Sequence, residues 1–235
     1  NIINRHSLFT SIPPNPYNSL CHGPSLRPGS FHWLALASTK ETHPMQNNQR
    51  WEPDWFLQSL LNNHIDKMVE RYSCLRAFRT DLFYQDHTAK FFLQDHQQLE
   101  WDIRKLMNRM MQLEAVVGFF WVIEWTEDHH YHAHVVFWLD GSKTQNTYTW
   151  AQQAGLYWSD ITDREGWYHR CEFKEHYEAN INIPVRYSDP DSITNIRQVL
   201  AYMTKIQQKH GLLLYGCNEV PARPLTGRPR SSQSL

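Results

Sequence analysis

Two apolar runs separated by a short polar break constrain this chain more than any other feature. Residues 115–125 read AVVGFFWVIEW and residues 131–139 read YHAHVVFWL. Both are rich in β-branched and aromatic residues, and Thr126-Glu127-Asp128 begins a turn between them. That pattern predicts two adjacent strands folded back on each other as a hairpin. Residues two apart on a strand project to the same face. His132 and His134 therefore point together, at a spacing that lets one ion bind both.

The preceding strand ends in Glu124-Trp125. With a turn centred near 126–130, Glu124 falls opposite His132 or His134, and cross-strand neighbours lie about 5 Å apart. Two imidazoles and one carboxylate leave coordination positions open, which suits a catalytic ion rather than a structural one. The same strand, running into Val135-Val136-Phe137-Trp138, also suits buried, hydrogen-bonded histidines, and Glu124 alone could face solvent or complete an ion pair. His129 and His130 sit in the turn and read as solvated or as supports behind the ligands.

Around the hairpin, the periodicity predicts a helix over 53–70, a strand over 73–84 and a long helix over 88–113. It continues with a helix over 149–160, an edge strand over 167–173 and a last helix over 192–209 capped by Asp191 or Ser192. This order predicts an α+β fold: a ferredoxin-like antiparallel sheet with the His-containing strand central and the helices packed on one face. Residues 1–44 carry scattered Pro and Ser without a sustained period, and the first Met is Met45. They read either as an irregular N-terminal extension or as sequence upstream of a true start at Met45. The catalytic domain is expected over 45–216, followed by a basic tail over 217–235.

The last predicted helix holds Tyr202-Met203-Thr204-Lys205. At 100° per residue, Ile193, Ile196, Val199, Leu200, Met203 and Ile206 form one apolar stripe. Tyr202 lies at its margin, with Lys205 and Lys209 further round the same flank. A phenol so placed can attack a phosphate that is polarised by a metal, with a lysine easing the phenolate and holding the phosphate. The bland alternative is an amphipathic packing tyrosine beside a solvated lysine.

A Glu, then HxH on the neighbouring strand, then YxxK on a later helix is the motif order of the HUH superfamily of rolling-circle replication initiators. The text FFWVIEW…HHYHAHVVFWLDGS followed by SITNIRQVLAYMTK resembles the inovirus gene 2 protein-like family and its prophage relatives, over roughly residues 73–208. The resemblance implies His132 and His134 as metal ligands, Glu124 as a third, Tyr202 as nucleophile and Lys205 as its helper. It implies Mg²⁺ or Mn²⁺ and a single-tyrosine nicking enzyme. Such an enzyme forms a 5′-phosphotyrosyl link on single-stranded or hairpin DNA at a replication origin, with a host replication helicase as a further partner. Two departures stand out. Ala133 is smaller than the usual apolar residue between the histidines. The early strand motif Arg79-Thr80-Asp81-Leu82 matches only loosely, so Asp81 is assigned no catalytic role.

Net charge is −1, so DNA binding has to rest on a local site rather than on overall charge. The four cysteines are not spaced as a zinc knuckle or redox pair. Without a run of about 18 apolar residues or an evident secretory signal, the expected setting is the reducing cytoplasm, with no membrane partner. A non-catalytic nucleic-acid-binding regulator on the same fold and a single-tyrosine transposase are the alternatives.

Overall fold

The computed structural model describes residues 51–207, 209 and 213–223. The expected extension over 1–44 and the tail beyond Arg223 lie outside these residues. In chain order the elements are α1 (Trp55–Arg71), β1 (Cys74–Tyr84), α2 (Gln97–Met110), β2 (Val116–Thr126), β3 (His130–Asp140), α3 (Thr147–Ile161), β4 (Gly166–Cys171), β5 (Val185–Arg186), α4 (Pro190–Ala201) and β6 (Tyr215–Cys217). The fold is α+β. Six strands form one sheet in the order β4-β1-β3-β2-β6, with the short β5 paired to the start of β1, and every pairing is antiparallel.

The helices cover both faces of this sheet, not one. On one side α2 and α3 pack on Phe78, Leu82, Trp121, Ile123, Ala133, Val135 and Phe137. On the other, α1 and α4 pack on Leu75, Ala77, Phe120, Val122, Val136 and Trp138. The physical reason lies in the strands themselves. In β3, residues 132–139 are all buried, and a strand buried on both sides needs a near-continuous apolar run rather than alternation. On α1, Leu57, Ile65 and Met68 are fully buried, each contributing about 1.5–3 kcal/mol of transfer free energy.

Two helix boundaries differ from the sequence expectation. The stretch 88–96 is turn-like and α2 begins only at Gln97. Here Thr88 Oγ1 donates to the Gln85 carbonyl, and the Lys90 amide donates to the Glu165 carboxylate. Such bonds give the backbone an alternative to helix. The last helix is capped by Asp189, with Pro190 in its first turn, and it stops at Ala201. Residues Tyr202–Thr204 tighten into a 3₁₀ turn. Lys205 then pairs with Pro53 in an antiparallel bridge, flanked by Asp54 N–H to Thr204 O (2.6 Å) and Ile206 N–H to Glu52 O (2.8 Å). A helix continuing through Lys209 could not make these bonds to a distant segment. The sheet also runs one residue past the expected domain end at 216, and Asn218 Oδ1 accepts from the Phe119 amide.

Candidate metal and nucleophile site

The hairpin register sets the site. Glu124 pairs with His132 and Val122 with His134. The turn that fixes this register closes at Thr126 and His130, with His130 at φ 51° and the His129 amide bonded to Thr126 Oγ1. Glu124, His132 and His134 therefore lie on the face covered by α1 and α4, and all three are buried. Ala133 points the opposite way, into the α2–α3 layer.

One ligand atom from each of Glu124, His132 and His134 lies within 4.8 Å of the others, so the three form a group that could hold a metal ion. His132 Nδ1 sits 3.1 Å from the His130 carbonyl. A hydrogen there fixes Nδ1 as donor and leaves Nε2 free to ligate. His134 is held from the other side, its Nδ1 2.6 Å from Asp81 Oδ1, with Nε2 3.2 Å from Glu124 Oε2. With Nδ1 taken up by Asp81, Nε2 is the ring atom that faces the Glu124 carboxylate. Two donors that share one ion at about 2.1 Å each lie roughly 3–3.4 Å apart. The Nε2–Oε2 separation fits that requirement.

Two ammonium groups already serve the carboxylate. Lys209 Nζ is 2.7 Å from Glu124 Oε1, and Lys205 Nζ is 3.0 Å from Oε2. Burial alone would raise the Glu124 carboxyl. The His134 hydrogen bond and charge, with Lys209, outweigh burial and hold it at about 2. Burial, aided by His134, lowers His132 to about 4 and keeps it in the neutral form a ligand requires.

Lys205 joins this cluster to the tyrosine. Its Nζ lies 2.6 Å from the Tyr202 hydroxyl as well as 3.0 Å from Glu124. The Tyr202 ring meets the His134 ring at 5.6 Å between centroids, and the Arg79 guanidinium lies over it at 4.9 Å. Tyr202 is 36% exposed, whereas Lys205 is buried, so the phenol opens to solvent while its partner does not. The Tyr202–Lys205 segment thus packs over the histidine face. It does so through a 3₁₀ turn, where the sequence predicts a continuous helix.

Sequence reasoning set Asp81 aside and gave Arg79 no role, yet both lie at the site. Asp81 pairs directly with His134 across β1 and β3, and Arg79 Nη2 lies 3.3 Å from Asp81 Oδ1. Burial would raise the Asp81 carboxyl. The charge and hydrogen bond of His134, with Arg79, reverse that and hold it well below the usual carboxylate range. The signal available was positional: Arg79, Asp81 and Ala77 share parity on β1. His129 and His130 stay out of the ligand group. His129 stacks on Phe83, and His130 on Phe91 with Nδ1 toward the Phe91 carbonyl. No helix among the described residues is long and apolar enough to cross a membrane. No family model, no curated protein and no solved structure matches this chain.

Proposed function

We propose that this protein is a metal-dependent endonuclease and strand transferase of the HUH type, acting on single-stranded or hairpin DNA with Tyr202 as nucleophile. The observation that carries the reading is the double contact of Lys205, whose ammonium touches both the Tyr202 hydroxyl and Glu124. It couples the one solvent-facing phenol of this cluster to the Glu-His-His group. His132, His134 and Glu124 would hold Mg²⁺ or Mn²⁺. Bound there, such an ion supplies charge neutralisation at the scissile phosphate.

The remaining chemistry belongs to the side chains. Lys205 stabilises the phenolate as the phenol proton passes to solvent. The Tyr202 oxygen–phosphorus bond forms while the phosphorus–O3′ bond breaks, and the departing 3′ oxygen takes up a proton. One phosphodiester is exchanged for another, so the 5′-phosphotyrosyl link can later be rejoined to a 3′-OH. Arg79, over the phenol ring, adds positive charge where a phosphate would lie. In the biological setting we favour, the enzyme opens an origin for rolling-circle replication of a phage or mobile element, and a host helicase follows.

A second reading has its own support. Both oxygens of Glu124 are already neutralised by Lys205 and Lys209, so the cluster is complete in charge without an ion. That favours a nucleic-acid-binding regulator that does no chemistry. Labelled single strands with Mn²⁺ separate the two. Wild type should form a covalent adduct stable to denaturation. Tyr202→Phe should melt at the same temperature, bind the strand and form none. An adduct in Tyr202→Phe moves the nucleophile elsewhere. Binding without any adduct in wild type leaves the regulator, and a free 5′-phosphate product means that water attacks instead.

A further inference from the structure

A second group of donors lies on the same sheet face, at its β4 edge. Asp81 of β1 pairs with His169 of β4, and Arg79 with Cys171. Those pairings carry the histidine face outward by one strand, so Asp81 stands between two sets of ligands. Its Oδ1 is committed to His134 Nδ1 and Arg79. Its Oδ2 lies 4.0 Å from His169 Nδ1, and the Cys171 thiol stands beside the same carboxylate. One donor atom from each of Asp81, His169 and Cys171 lies within 4.8 Å of the other two. His169 is exposed while Asp81 and Cys171 are half-buried, which provides an entry path from solvent.

We infer that Asp81, His169 and Cys171 form a second cation site, specific for a thiophilic divalent ion such as Zn²⁺. The donor set decides the class of ion. A thiolate and an imidazole select Zn²⁺ over Mg²⁺ or Mn²⁺, whereas a carboxylate alone does not discriminate that way. Three protein ligands leave a fourth position for water. Binding breaks the Cys171 S–H bond, sends the proton to solvent and forms an Sγ–metal bond, with no change of oxidation state. In the absence of an ion, burial pushes the Cys171 thiol up to about 12 and Arg79 works against that rise. The same guanidinium opposes an incoming cation, so the site discriminates by sulfur affinity rather than by charge attraction. The inference does not depend on the nicking reading, because none of its ligands is Tyr202, His132 or Glu124.

Sharing Asp81 has a functional consequence. An ion on Oδ2 draws charge from the carboxylate that holds His134, so edge occupancy weakens the support of the inner histidine. By linkage, ions at the two positions then oppose each other.

Cobalt titration of the full chain tests the site. Wild type should develop the intense near-ultraviolet absorption of a thiolate–Co²⁺ bond. Cys171→Ser should lose that absorption. His169→Ala, at an exposed position, should require at least tenfold more Co²⁺ to reach it. Cys217→Ser should leave it unchanged, and His134→Ala, which removes the inner ion site and frees Asp81 Oδ1, should keep the band with its Co²⁺ midpoint shifted to lower concentration. Absence of the band in wild type at saturating Co²⁺, or its persistence in Cys171→Ser, would overturn the inference. Loss of the band in His134→Ala would also overturn it, by moving the thiolate bond to the inner group. Failure of the inner site to bind Mn²⁺ bears only on the nicking reading.

Discussion

The Asp81 carboxylate stands 2.6 Å from Nδ1 of His134, across the ladder between β1 and β3. A ligand imidazole held this way presents a fixed tautomer and a fixed ring plane to an ion. Asp81 thus acts through His134, as a positioning residue.

Asp81→Asn should lower Mn²⁺ affinity at the Glu124–His132–His134 group by about 10- to 100-fold, the usual cost of losing such a support. Calorimetry on wild type and variant reads the change directly. The melting temperature should also fall, because Arg79 loses its carboxylate partner, so affinity is compared at a temperature where both proteins are folded. Unchanged affinity would mean that the Asp81–His134 bond orients nothing.

Lys209→Met should be destabilising. Its ammonium sits 2.7 Å from Glu124 Oε1, and both groups are buried. Removing one partner of a buried pair leaves the other charge without compensation, which typically costs 3–5 kcal/mol. Glu124 keeps His134 and Lys205, so the loss should fall near the low end, about 3 kcal/mol. For a chain of this size that is a drop of roughly 6–12 °C in melting temperature. The pair Glu124→Gln/Lys209→Met should recover much of it, and a double-mutant cycle measures how much. A single variant that melts like wild type would remove the pair from the list of stabilising contacts.

Stability should rise with pH between about 4 and 6.5 because of His64. This residue is 4% exposed, it packs against Phe120 and Trp138, and its Nε2 has no hydrogen-bond partner. Burial, with the Lys67 charge behind it, lowers it from 6.5 to about 4. As pH falls below 6.5 the unfolded chain takes up this proton and the folded chain does not, so folding loses free energy until about pH 4. The full span corresponds to roughly 3 kcal/mol. Denaturant midpoints for wild type and His64→Leu should converge in slope above pH 6.5 and diverge below it. Parallel curves across that window would show that His64 is not the titrating group.

Gly155→Ala sets two effects against each other. Alanine favours helix over glycine by about 1 kcal/mol. A Cβ at Gly155 would, however, stand 2.1 Å from the Tyr168 ring, and overpacking typically costs 1–3 kcal/mol. The clash should win, with a modest net loss in thermal unfolding. Gly155→Ala combined with Tyr168→Ala should relieve the clash. A stabilised single variant would show that the Tyr168 ring swings clear without cost.

The hairpin was legible because its register needs only local information. The turn residues and the period of two place Glu124 opposite His132 or His134 wherever the rest of the chain goes, and the ladder makes it His132. What escaped the sequence was long-range. Asp81 meets His134 across 53 residues, and nothing near Asp81 announces the pairing. The end of α4 at Ala201 is set by Pro53 and Glu52, on the far side of the domain in sequence. A periodicity argument sees only Met203 and Ile206 continuing the stripe. The second helical layer was readable in principle. The unbroken apolar text of β3 shows too little alternation for a strand with one wet face, but the His pair drew attention to alternation instead.

The strap that joins residues 52–54 to the Tyr202–Ile206 segment orders events during synthesis. Glu124, His132 and His134 leave the ribosome with their hairpin already able to close. Tyr202, Lys205 and Lys209 emerge later and dock against a segment made before the hairpin. A chain interrupted before Tyr202 therefore carries the ligand group but neither the phenol nor the ammoniums that neutralise Glu124. Under the nicking reading, such a fragment is inert toward DNA, and competence arrives only once the segment through Lys209 has emerged and docked.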